Sequence, residues 1–412
     1  DMQTTLALEE NRFLFENLAI DLEGSGAAWP GGEGAIALAF DALEADLDAQ
    51  TLDLRGLVLE ALGLDVRGNL AGRNLFSALA LTGDIEIAEF DPEDLMEAFG
   101  VVLETADPDV LSRVAASARL GYDSNRMMLE QMSLTLDDST LTGSLGMQGE
   151  TLSFDLAIDD INADRYLPPA EEAPQEEEGS LDEVDLPLDL LRTLDANGRM
   201  AIGAFQFDGL SFADVSLQVT AQNGRVRLRP AAELYGGTYA GTIGIDVQQS
   251  NALLTLDQQL ASVDVAALMR DYLELDMFTG TLGLDMDVSA TGANLGELMR
   301  ELDGAVSFAL NEGSWEGVDL WHLLRRARAL TEQVAAPPEP NPARTPFSRI
   351  AASGSIENAV LTNRDLTASF DFMSLAGAGT VELLNDNMNF AVTATFADTE
   401  LVRNDPLMAD LV

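Results

Sequence analysis

The chain has 412 residues, 71 of them acidic and 22 basic, with no lysine, no cysteine and a formal charge of −49. That balance excludes nucleic-acid binding, which needs a basic face, and simple adsorption to anionic lipid. The missing cysteines exclude disulfides, thiolate metal sites and cysteine nucleophiles, while a hydrophobic content of 47% requires that a large apolar surface be covered somewhere.

An acidic surface without lysine suits a salt-rich environment, where self-repulsion is screened. No apolar run reaches the length of a membrane span. The first residue is Asp1 and no signal peptide is visible, so a fragment lacking an N-terminal anchor is expected.

Residues 1–90 read as strands. AIALAF (35–40), LDLRGLVLE (52–60) and DIEIAEF (84–90) alternate apolar and polar residues between Gly, Asp and Asn turns. Residues 92–116 read as a helical insertion, broken at Gly100 and restarted at Asp107-Pro108. Alternation then resumes. Met128, Met132, Leu134 and Leu136 share one strand face, and Leu141, Leu145 and Met147 the next, across the Asp137-Asp138 turn. Leu152, Phe154, Leu156 and Ile158 follow on a third.

After Tyr166-Leu167-Pro168-Pro169 comes AEEAPQEEEGSLDEVDLP, too acidic and too poor in large apolar groups to order itself. The expected division is therefore 1–168, an acidic linker over 169–186, and 187–412. The third part opens with a short helix near Leu186 and continues at hairpin spacing through GRMAIGAFQF, LSFADVSLQVTA, RVRLRP and YAGTIGIDV. Arg225, Arg227 and Arg229 line the polar side of one strand; solvated pairing with carboxylates is favoured over a stripe for anionic headgroups. In TLGLDMDVS, Leu282, Leu284, Met286 and Val288 oppose Asp285 and Asp287. That Asp pair lacks the remaining ligands and glycine of a calcium loop. Val306, Phe308 and Leu310 alternate in the next strand. A helix is expected near 319–334, then a proline-rich loop over 335–346 and four closing strands, the last two carrying Phe370, Phe372, Phe390 and Val392.

One device punctuates these strands. An apolar residue, an Asp or Asn, and an apolar residue at the fourth helical position recur as Val318-Asp319 with Leu323 and Val263-Asp264 with Leu268. Other copies are Ala293-Asn294 with Leu298, Ile161-Asn162 with Tyr166 and Phe90-Asp91-Pro92 with Leu95; Ala106-Asp107-Pro108 with Leu111 is a weaker one. A capping carboxylate or amide accepts the first free helical N–H groups, and the apolar pair staples the entry angle.

Catalytic chemistry is not apparent. The single histidine, His322, lies inside a capped helix between Trp321 and Leu323 without a recognised partner motif. No nucleophile elbow, phosphate loop, dinucleotide fingerprint or zinc motif occurs. No cofactor, metal or catalytic residue is expected. Trp29, Trp315 and Trp321 read as core or rim packing. What remains is a long antiparallel sheet with one apolar side. Periodicity alone leaves open whether a second sheet, short helices or lipid covers it.

The order of LDDSTLTGSLGM (136–147), FDLAIDDINADRYLPP (154–169), the 190–247 strand series, ELDGAVSFALNEGSWEGVDLWHLL (301–324) and TPFSRIAASGSIENAVLTNRDLTASFDFMSLAGAGTVEL (345–383) resembles the AsmA family of bacterial envelope proteins. The resemblance implies a mainly β fold with short helices, an elongated antiparallel meander curled into a groove with capped helices at strand ends. It further implies a non-enzymatic periplasmic protein held at the inner membrane by an N-terminal helix absent from this chain. The expected function is phospholipid transport from inner to outer membrane in outer-membrane biogenesis. The alternative is a scaffold for outer-membrane protein assembly, acting on assembly proteins through exposed sheet edges. Expected groove-lining residues are Leu152, Phe154, Leu156, Ile158, Leu282, Leu284, Met286, Val288, Val306, Phe308, Leu310, Phe370, Phe372, Phe390 and Val392. The expected partners are phospholipids, with no nucleic acid.

Overall fold

A computed structural model describes all residues except 1, 10, 26–32, 102, 170–184, 336, 339–341, 386 and 412. Trp29 and all but the last residue of the acidic stretch Glu171–Asp185 lie outside the described residues. The chain is mainly β with short helices, and it divides into two compact units.

The first unit contains strands β1 (Met2–Glu9), β2 (Arg12–Ser25), β3 (Glu33–Asp46), β4 (Thr51–Ala61), β5 (Leu64–Arg73) and β6 (Ala80–Phe90), then helix α1 (Pro92–Ala98). It continues with β7 (Val114–Asp123), β8 (Arg126–Leu136), β9 (Ser139–Gln148), β10 (Thr151–Asn162) and β11 (Ala196–Phe207). Strands β1 to β10 form an unbroken antiparallel meander. Strand β11 instead runs parallel to β10, aligning Met200 with Leu156 and Ile202 with Ile158. GRMAIGAFQF thus extends the first unit, although the sequence places it in the 187–412 series. A parallel pair needs a long crossover, and the 163–195 connection supplies one.

The second unit holds helix α2 (Leu188–Thr193) and the antiparallel strands β12 (Leu210–Gln222), β13 (Arg225–Leu234), β14 (Gly237–Asp246) and β15 (Ala252–Asp264). After helix α3 (Val265–Leu273) come β16 (Thr281–Gly292), helix α4 (Leu295–Arg300), β17 (Asp303–Glu316) and helix α5 (Leu320–Glu332). The meander then runs through β18 (Arg344–Glu357), β19 (Val360–Ser369), β20 (Met373–Glu382) and β21 (Asn387–Phe396), followed by helix α6 (Glu400–Arg403). The expected 335–346 loop is shorter than the sequence implies, because Arg344 already pairs with Glu316.

Register slips interrupt many pairs near mid-strand. Their extra residues take left-handed backbone: Gly56 (φ 66°), Gln131 (φ 52°), Asp214 (φ 48°) and Ser262 (φ 57°). Such bulges bend a strand and increase its local twist. Side chains brace them. Asn69 Oδ1 accepts the Gly56 N–H at 2.9 Å, and Asn363 Nδ2 donates to the Ser353 carbonyl at 2.7 Å.

The capping residues act as their spacing predicts at five places. Asp264 accepts the N–H groups of Ala266 and Ala267 at 2.9 and 3.3 Å, and Asp319 that of His322 at 2.7 Å. Asn294 accepts from Glu297 at 2.8 Å, Asp91 from Glu93 at 2.9 Å, and Asn162 from Asp164 at 3.0 Å on a 3-10 turn.

Asp107-Pro108 starts no helix, so within the 92–116 insertion only Pro92–Ala98 is helical among the described residues. Buried Asp137 organises the following loop instead. Its carboxylate accepts the backbone N–H groups of Leu111, Ser112 and Arg113 at 2.9, 3.0 and 3.2 Å, and the Tyr166 hydroxyl at 2.7 Å. Burial opposes its ionisation, yet these donors hold its pKa below the ordinary carboxylate value. Desolvation, then the hydrogen bond to the Asp137 carboxylate and its charge, pushes Tyr166 up to about 12.

Candidate functional site

Cross-strand register lines apolar side chains into continuous rows. In the first unit one row crosses ten strands: Phe15, Leu43, Leu54, Leu70, Gly83, Leu120, Leu129, Leu145, Phe154 and Gly198. Every member is only half-buried. The adjacent row through Tyr122, Met127 and Met147 is 38%, 44% and 49% exposed. Among the described residues of this unit, the apolar side chains that are buried are Phe40, Val110 and Ala196. A close-packed sandwich would bury the whole row. The expected lining residues Leu152, Phe154, Leu156 and Ile158 all lie on this open face, half-buried.

The second unit is sealed along both sets of strand ends. On one side Ala252, Val288, Ala290 and Ile356 are buried, with Leu298 of α4 among the buried set. On the other, Val265 of α3 packs with Leu310 and Phe347, while Val402 of α6 packs with Phe372, Met373 and Met408. Leu320, Trp321 and Leu324 of α5 lie against the latter cluster.

Between the seals two rows stay at least half-open at every position but Asn363, which is buried. One aligns Met286, Val306, Gly354, Asn363, Gly379 and Phe390; the other aligns Leu284 with Phe308 and Ala352 and, beyond a bulge, Leu366 with Gly377 and Val392. Rows two residues apart along a strand lie roughly 6.6 Å from one another, so this lane is narrow. It contains an apolar depression of about 360 Å³ running from Val306 and Phe308 to Phe390 and Val392. Phe308 is 37% exposed, and on β21 Val392 is 55% and Met388 72% exposed, while Phe390 between them is half-buried.

Two rings lie flat because glycine sits beneath them. A Cβ on Gly379 would come within 2.6 Å of the Phe390 ring, and one on Gly198 within 2.4 Å of Phe154. At β14–β15 a polar pair interrupts the apolar lining: the Tyr239 hydroxyl donates to Gln258 Oε1, and Gln258 Nε2 donates to the Thr242 carbonyl at 3.2 Å. Burial pushes the Tyr239 pKa up.

The structure therefore sorts the expected lining residues. Leu284, Met286, Val306, Phe308, Phe390 and Val392 face the open or half-open lane, whereas half-buried Leu282 packs against the Val265, Leu310 and Phe347 seal. Val288, Leu310 and Phe372 are 3%, 8% and 4% exposed and belong to the seals. Phe370 and Phe372 are not strand residues. The bulge between Asn363 and Leu366 shifts the register, and Phe370–Met373 turns the chain, placing Phe372 5.1 Å from the Trp321 ring. Phe370 packs against both clusters at that end. Leu260, Leu366 and Met388 extend the open rows beyond the expected set. Each was legible as an apolar strand position, but only cross-strand register aligns it with the lane.

The opposite faces are polar. Arg225 pairs with Asp246 at 2.9 Å, whereas Arg227 and Arg229 are exposed with no ion pair among the described residues. Asp285 and Asp287 border an open polar groove with Asp257 and Asp365, and no metal-binding cluster occurs among the described residues. His322 is 6% exposed and its Nδ1 lacks a partner there; Trp315 stacks on Phe278 at 5.7 Å. No described helix is long and apolar enough to cross a membrane.

No curated protein and no solved structure matches the chain. The family model of the AsmA family matches residues 40–366. That span covers most strands of both open faces, and the chain belongs to the AsmA family of bacterial envelope proteins.

Proposed function

We propose that the chain is a non-enzymatic periplasmic carrier that binds phospholipid acyl chains on its open apolar faces and supports lipid transport from inner to outer membrane. In the full-length protein an N-terminal helix anchors it to the inner membrane. The observation that carries this reading is the half-buried row crossing ten strands from Phe15 to Gly198. An apolar surface of that extent needs a cover, and an acyl chain gains about 0.8 kcal/mol for every CH₂ it buries. Transport is passive: the tails lie along the rows, the headgroups stay at the wet rim, and movement exchanges one stretch of apolar lining for the next.

Lipid extraction from the purified chain followed by mass spectrometry tests the reading, with glycerophospholipid expected. Met286→Glu and Phe308→Glu place a carboxylate in the lane, where an acyl chain would desolvate it at high cost. Both variants should keep a cooperative melt and lose lipid loading by at least about tenfold, since each 1.4 kcal/mol is a factor of ten. Absence of bound lipid together with no uptake of an acyl probe overturns the proposal.

A further inference from the structure

Strand β21 differs from the rest of this acidic chain. Its sequence, Asn387–Phe396, contains no charged residue, no proline and no glycine. It pairs with β20 along its full length, and no strand among the described residues pairs with its other edge. A bare edge is usually protected by charge, proline or a bulge; β21 has none of these. Two of its apolar side chains, Met388 at 72% and Val392 at 55%, are exposed where the open lane ends, with Phe390 half-buried between them. Exposed leucines flank the strand: Leu384 before it (44%) and Leu401 of α6 after it (46%).

We infer that the β21 edge, with Leu384 and Leu401, is where the second unit touches a phospholipid bilayer of low anionic content, so that the lane opens onto that surface. This rests on the acyl-chain reading above, because a lane filled with lipid needs a place where lipid enters. Charge selects the occupant. A second copy of the chain brings another −49, and an anionic membrane repels the chain as well. A neutral lipid surface accepts an uncharged apolar edge without that repulsion. The contact therefore has an inverted salt signature: binding strengthens as salt screens residual repulsion, opposite to a basic membrane-binding patch.

Flotation with phosphatidylcholine vesicles provides the test, alongside uptake of a monomeric fluorescent fatty acid from solution. The chain should float, bind more tightly at 1 M than at 0.1 M salt, and bind less as phosphatidylglycerol is added. Leu384→Glu with Leu401→Glu lies outside the lane. It should reduce flotation at least tenfold while fatty-acid uptake continues, and the charge-matched Gln218→Glu with Gln222→Glu on the polar face of β12 should float normally. Unchanged flotation of the edge variant, with uptake intact, overturns the edge assignment and leaves the carrier reading standing. So does a dimer, or a complex with an added β-strand peptide, that the edge variant abolishes while flotation persists. Failure of the unaltered chain to take up fatty acid overturns the carrier reading itself.

Discussion

The two units share one construction rule and differ in what is laid over it. Both are meanders whose alternating residues fall into cross-strand rows, and both carry mid-strand bulges. In the second unit α2, α3, α4, α5 and α6 interrupt or flank the strands, and its buried apolar residues gather at the strand ends. In the first unit, among the described residues, α1 and one 3-10 turn take that place, and the rows stay half-exposed from β2 to β11. The sheet therefore comes from alternation, whereas closure comes from the stapled helices. Where helices are sparse the face remains available to a ligand.

The largest expected effect contrasts the two surfaces directly. Val263 is fully buried at the α3 end of β15, while Leu145 is half-buried in the first unit's open row. Val263→Asp should destabilise the second unit by several kcal/mol, because an unpaired buried carboxylate has neither water nor partner. Leu145→Asp leaves its carboxylate access to solvent and should lower the melting temperature by only a few degrees. Calorimetry of both variants decides. If Leu145→Asp also abolishes the transition, the first face is a closed core and the contrast collapses.

Much of this contrast was legible in the sequence, for physical reasons that also mark where reading stops. Period-two alternation exposes Phe154 or Phe308 as strand face, and Asp264 or Asp319 signals a cap, because each depends on neighbours a few residues away. Bulges at Gln131 and Ser262 were not legible: neither residue type demands left-handed backbone, and the slip is decided by the partner strand. Phe372 reads as lining yet packs under α5, because β19 ends at Ser369 and Phe370–Met373 turns the chain there. The parallel β10–β11 pair was hidden by the acidic segment that interrupts its chain. Asp137 read as a turn residue, because the amides it accepts lie about 25 residues earlier.

That carboxylate gives the next, smaller effect. The first unit positions buried Val110 without a stapled helix, through the loop that Asp137 and Tyr166 hold. Tyr166→Phe should cost about 1.5–3 kcal/mol, the range for a hydrogen bond to a charged group, and should speed hydrogen exchange at Leu111, Ser112 and Arg113. The pH dependence has two limbs. With its folded pKa depressed, Asp137 contributes stability above the ordinary carboxylate value of about 3.9, lost as pH falls through the lower folded value. Tyr166, pushed up to about 12, contributes below its ordinary value near 10 and loses that contribution as pH rises through 12. Protection of these three amides, corrected for the intrinsic pH dependence of exchange, that stays constant across both limbs would remove Asp137 as the organiser.

The smallest effect separates caps that hold a seal from one that does not. Asp264 and Asp319 each satisfy first-turn N–H groups on α3 and α5, and both helices bring buried residues to the second unit's core. Removing such a cap typically costs about 1 kcal/mol, so Asp264→Ala and Asp319→Ala should each lower stability by that amount. Asp91 caps α1 as well, but α1 spans only Pro92–Ala98 and none of its described side chains is buried. Fraying there releases little packed surface, so Asp91→Ala should cost no more than about 0.5 kcal/mol, the low end for a lost cap. Acyl-probe uptake should persist in all three, since none of these carboxylates lies in an apolar row. Denaturant melts resolve the difference in stability. An Asp91→Ala loss equal to that of Asp319→Ala would mean that α1 seals the first unit as α5 seals the second. The open rows of the first unit would then owe their exposure to something other than missing helices.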